Sequence, residues 1–174
     1  MDMNRNQLIK RLTKNAVMLA LMCVIGMFAL PLGDNIKVSL QLLIVLIIGL
    51  TAESFIDGVI VTSLYLVLGL FMPIYAGFNF GISPTFGFVI SFPIIIIPLY
   101  FLNKLKIKNQ FVRMSIACLV AVVLCYLIGA IFLKLYTGLD IKKALLIAVV
   151  PYIPFDIAKV IIAELITVLL PQKK

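Results

Sequence analysis

The 174-residue sequence contains no histidine, which excludes a His-containing zinc site. Acidic residues are scarce, 7 Asp and Glu against 15 Lys and Arg. The three cysteines, Cys23, Cys118 and Cys125, all fall inside apolar runs. An odd number so placed builds no disulfide framework and reads as packing. The P-loop, G-x-S-x-G and H-E-x-x-H motifs are missing from the sequence, so it offers no ATP cradle, serine nucleophile or metalloprotease chemistry. Intramembrane aspartyl chemistry would need two facing aspartates. Asp156 has no acidic twin at its depth, and Asp34 lies in a loop. The expectation is a protein that is not an enzyme and needs no cofactor.

What is abundant is apolar surface. Hydrophobic residues make up 64% of the chain and the mean hydropathy is +1.23, against about 45–50% in a soluble domain. A chain this size cannot hide that much apolar area from water, so its solvent is lipid. The composition does not shift along residues 1–174, which predicts one integral domain. The expected class is an all-α polytopic membrane protein with six spans, at about 12–30, 38–51, 56–72, 85–102, 112–135 and 154–170, the second shorter than the others. A short amphipathic piece, 141–149, precedes the last span. The first apolar run lacks an A-x-A cleavage site and is followed by further spans, so it reads as a retained helix.

Ten of the Lys and Arg residues fall on one side of this arrangement, among them Arg5, Lys10, Arg11, Lys14, Lys104, Lys106, Lys108 and Arg113. Four fall on the other: Lys37, Lys134, Lys142 and Lys143. The positive-inside rule then places both termini in the cytoplasm and the loops 31–37, 73–84 and 136–153 outside. The net charge of +8 is accounted for by this topology. The basic residues sit at loop ends and form no single patch, so a nucleic-acid partner is not expected. "TAESFID" runs against the rule, since it puts Glu53 and Asp57 on the basic side.

Three features carry candidate function. Asp156 and Lys159, three residues apart, share one helix face within the last span. A charge there is costly and faces the bundle interior or a wet cavity. The pair reads either as a polar-ligand site or as an ion pair locking two helices together. Pro154 suits the first turn of that helix and leaves residues 155–157 as a helix N-terminus with amide donors. The second feature is the uncharged outer loop "YAGFNFGISPTFGF". It brings Gly77, Gly81 and Gly87 for close approach, ring surfaces in Phe78, Phe80 and Phe86, and a donor–acceptor in Asn79. Taken alone, it reads equally as an interfacial turn. The third is Ala16 and Ala20, small residues four apart that let another helix approach closely.

Three stretches together resemble one family. "ALPLGDNIKVSLQLLIVLIIG" (29–49, with Leu40–Gln41), "LGLFMPIYAGFNFGISPTFGFVISF" (68–92) and "LDIKKALLIAVVPYIPFDIAKVIIAELI" (139–166) are similar to the BioY family, the biotin-binding S component of energy-coupling factor (ECF) vitamin transporters. P-Y-I-P-F-D-I-A-K resembles that family's P-F-x-P-x-D-x-x-K signature. The resemblance implies a six-helix cell-membrane bundle that captures biotin from outside. It further implies docking, through the first-helix A-x-x-x-A at Ala16 and Ala20, onto a transmembrane coupling subunit driven by two ATPase subunits. It makes Asp156 and Lys159 hydrogen-bond partners of the ureido ring, joined by Asn79. Gln41, Tyr75, Gly77 and Phe86 complete the expected substrate-binding set. The chain departs from the family in its loop, where "AGFNFGI" replaces a double-Gly segment that often carries a basic residue. The ligand's carboxylate is then expected at the N–H groups around Ser83 and Thr85. A related apolar carboxylate vitamin such as lipoate, or a structural subunit without ligand, are the alternatives.

Overall fold

The computed structural model describes residues 5–31 and 37–170. Seven α-helices and one short hairpin follow in chain order: α1 Arg5–Met27, β1 Ala29–Pro31, β2 Lys37–Ser39, α2 Gln41–Thr51, α3 Phe55–Phe71, α4 Phe86–Leu102, α5 Gln110–Thr137, α6 Ile141–Ala148 and α7 Ile153–Leu169. Asp34, Lys173 and Lys174 lie outside the described residues. Among the described residues two runs are long and apolar enough to cross a membrane, Gln110–Thr137 and Ile141–Leu169; α2, α3 and α4 are shorter apolar helices.

The short helix α2 is the axis of the bundle. Each residue from Gln41 to Leu50 is buried, as expected of a helix that is apolar all round. It contacts α1, α3, α4, α5 and α7. The main interlock is between α4 and α5. A side chain at Gly87 of α4 would run into Phe132 of α5, and one at Gly129 of α5 would run into Phe88 of α4. Each glycine thus receives a ring from the opposite helix, and the two backbones approach closely. Pro93 and Pro98 sit inside α4, where neighbouring helices cover the backbone they disrupt.

Local chemistry sets the boundaries. Ser54, Asn109 and Asp140 cap α3, α5 and α6 by accepting backbone N–H groups through their side chains, satisfying donors a helix start leaves open. Gly138 ends α5 at φ 71°, a left-handed stop that glycine adopts without a steric penalty. α1 begins at Arg5, well before the apolar run at residue 12, because its first two turns are polar and exposed. It ends at Met27 rather than near residue 30. The chain then pairs Ala29 with Ser39, Leu30 with Val38 and Pro31 with Lys37 in an antiparallel ladder that the span pattern did not predict.

Hydrogen bonds tie the far ends of the helices together. Lys14 donates to the Thr51 carbonyl at 2.6 Å, Asn103 to the Leu50 carbonyl at 3.1 Å and Tyr100 to the Glu53 carbonyl at 3.0 Å. Arg11 pairs with Asp57 Oδ2 at 2.7 Å, and Asn15 donates to Asp57 Oδ1 at 3.0 Å. The aspartate that breaks the charge rule is therefore neutralised by the basic start of α1.

Candidate functional site

At the other end of the bundle lies a cavity of about 360 Å³, toward the small end of ligand pockets, which span about 300–1,000 Å³. Its walls are the starts of α2, α4 and α7, the second half of α5, the end of α6 and the loop between α3 and α4. Phe88, Val89, Phe92 and Leu133 give an apolar lining, and Asp156 and Lys159 open onto the same space.

The pair is buried, Asp156 4% and Lys159 6% exposed. Lys159 Nζ donates to Asp156 Oδ1 at 2.6 Å, and Tyr126 Oη donates to Asp156 Oδ2 at 2.5 Å. The i,i+3 spacing within α7 brings the charges together on the face turned to the bundle. Each carboxylate oxygen has accepted one hydrogen bond. A carboxylate offers about four acceptor sites and an ammonium three donors, so both groups keep capacity for a guest. Pro154 occupies the first turn of α7, as its geometry favours. The helix is not a bare N-terminus at 155–157, however, because a 3₁₀ turn, Val150–Tyr152, leads directly into it.

The sequence-derived candidates divide. Asp156, Lys159, Asn79, Gln41 and Tyr75 line the cavity; Gly77 and Phe86 do not. Gly77 has φ 75° and donates its N–H to the Met27 carbonyl at 2.8 Å, so it shapes the loop and pins it to the end of α1. Phe86 is buried between Tyr75 and Phe132, with ring centroids at 6.1 and 5.9 Å, and supports the wall from behind. Gln41 donates to Tyr65 Oη at 2.5 Å and accepts from Ser39 Oγ at 3.2 Å. Tyr65 in turn donates to the Ile74 carbonyl at 2.9 Å. This chain of bonds fixes the hairpin, α2, α3 and the loop against one another. Tyr75 donates to the Leu66 carbonyl at 2.6 Å, and burial pushes its phenol up to about 12, so it is neutral at any physiological pH. Asn79 donates one Nδ2–H to the Ala76 carbonyl at 2.8 Å, which leaves Oδ1 as an acceptor and the second N–H as a donor. Phe78 and Phe80 are not in the cavity lining and are 60% and 64% exposed. Ser83 and Thr85 line the cavity, their hydroxyls 3.2 Å apart.

Two polar residues were not singled out from the sequence. Tyr126 lies thirty positions from Asp156, so only the fold brings them together. The signal available was a phenol in an otherwise apolar helix, whose hydroxyl requires a partner. Glu164 is buried on the same helix as the pair, and Ser115 donates to its Oε1 at 2.8 Å. It lies outside the cavity lining. Ala16 and Ala20 are exposed on α1.

Comparison with known proteins agrees with this geometry. The chain is 31% identical to a probable biotin transporter BioY of Pyrococcus horikoshii, covering 89% of this chain and 94% of that protein. It is 27% identical to the biotin transporter BioY of Thermotoga maritima, covering 94% and 96%. It superposes with a TM-score of 0.84, at 27% identity and over 95% of this chain and 93% of the other, on the crystal structure of the S-component for biotin from an ECF-type ABC transporter. The BioY family profile matches residues 2–173, and the chain belongs to that family.

Proposed function

We propose that this protein is the biotin-capturing S component of an ECF-type importer. It lies in the cell membrane as a six-span bundle with both termini in the cytoplasm, and its cavity opens outward. The observation that carries this reading is the buried Asp156–Lys159 pair in the wall of a 360 Å³ cavity. A cyclic urea has two N–H donors and one carbonyl acceptor. Asp156 accepts from the N–H side and Lys159 donates to the carbonyl, both as charge-assisted bonds, about twice as strong as neutral ones. Tyr126 holds the carboxylate in place. Phe88, Phe92 and Leu133 receive the apolar ring and tail, and Asn79 contributes Oδ1 from the loop. Lipoate has no urea to engage both charges, so the pair favours biotin. Gln41, Tyr75, Gly77 and Phe86 act on binding through the shape of the wall and loop.

Delivery to the cytoplasm requires an energised partner. Exposed Ala16 and Ala20 on α1 form the flat strip on which a transmembrane coupling subunit docks, with two ATPase subunits supplying ATP hydrolysis. Purifying the full-length protein in detergent from cells grown with biotin, then identifying the bound small molecule by mass spectrometry, tests the reading. Biotin near one equivalent is the expected result. Lipoate would move the substrate to another vitamin, and no ligand would contradict capture.

A further inference from the structure

The polar groups of the cavity fall into two sets by burial. Asp156 and Lys159 are deep, 4% and 6% exposed. Asn79 and Thr85 are exposed, and Ser83 is half-buried; all three come from the segment preceding α4. The charges belong to the deep set, beside the buried neutral Gln41 and Tyr75, and the second set is neutral throughout. Among the described residues that line the cavity, Lys159 is the one cation, and its ammonium is engaged by Asp156 at 2.6 Å. Lys134, Lys142 and Lys143 are exposed and do not line it. A ligand whose head sits on the charged pair therefore places its tail at a rim of hydroxyls and one amide.

Such a rim does not discriminate by charge. A hydroxyl donates or accepts, so it serves a carboxylate, a carboxamide or an ester. Among the described residues an ionised tail gains no countercharge here, and an extended tail meets exposed residues instead of a closed wall. We propose, resting on the biotin reading above, that this site takes neutral, tail-conjugated forms of the vitamin, amides and esters of its carboxyl group, as readily as the free acid. The ligand class is then defined by the cyclic urea head and not by the anion.

The test is displacement of radiolabelled biotin from the full-length protein in detergent by unlabelled biotin, biotinamide and N-methylbiotinamide. The two amides are expected to compete within about threefold of the acid, because the tail lies at an exposed rim where water takes over the bonds that the carboxylate gives up. A loss of about tenfold or more for the amides, the size of a bond to a charged group, overturns the proposal while leaving biotin capture intact. Absence of biotin binding overturns the capture reading itself and this proposal with it. Thr85→Lys sharpens the placement: a cation at the rim should shift preference toward the acid by about tenfold. An unchanged acid-to-amide ratio in that variant would contradict the tail's position at the rim.

Discussion

Two ion pairs sit at opposite ends of this bundle, and they differ in what they join. Arg11–Asp57 links α1 to α3, with side chains 27% and 11% exposed, and Asn15 of α1 adds a second bond to the same carboxylate. Asp156–Lys159 lies within α7, three residues apart, with side chains 6% and 8% exposed. The first pair clips helices and meets the boundary of the bundle. The second cannot clip helices by itself, since both charges ride on one helix, and among the described residues the Tyr126 bond is what reaches another. A pair buried more deeply while joining less is poorly explained by stability. A buried pair is often replaceable by apolar residues without loss. The adjoining cavity supplies the missing reason.

This contrast can be broken at either pair. The largest effect is expected for Lys159→Met alone, which strands a buried carboxylate and should cost about 3–5 kcal/mol of stability, read as an earlier thermal transition in detergent. Tyr126→Phe leaves the fold in place but frees Asp156 Oδ2; it should weaken biotin binding about tenfold, the worth of one bond to a charged group, measured by displacement of labelled ligand. Gly129→Ala forces a methyl against the Phe88 ring, and overpacking of this kind costs about 1–3 kcal/mol, again seen in thermal melting. The smallest effect is expected for Arg11→Met. This clip is partly open to water and Asp57 keeps the Asn15 bond, so the loss of stability should be about 1 kcal/mol, and biotin affinity should be unchanged. A large affinity loss in that variant would erase the distinction between the two ends.

Much of this was legible in the sequence. Five helices fall where the apolar runs predict helices, although among the described residues α2, α3 and α4 are shorter than a full span. The α7 pair was legible because i,i+3 spacing fixes a shared face. The early start of α1 was hidden by its polar composition. The hairpin was hidden because three-residue strands flanking a loop leave no periodicity to read. Gly77 and Phe86 were expected in the binding set from the family resemblance; Gly77 sets a turn and Phe86 packs outside the cavity lining, and backbone conformation and ring packing do not show in a pattern. The Tyr126 contact to Asp156 depends on how α5 and α7 pack, so thirty positions of separation concealed it. Asp57 seemed to contradict the charge rule until Arg11 and Asn15 were seen to hold it.

The most direct measurement replaces both charges at once. Asp156→Leu with Lys159→Met leaves no unpaired charge, so the melting temperature in detergent should stay at or above that of the unchanged protein. Biotin binding, measured on the same sample by displacement of labelled ligand, should fall at least about 100-fold, the loss of two charge-assisted bonds. A variant that melts as expected yet still binds biotin tightly would contradict the claim that this pair is kept for the ligand.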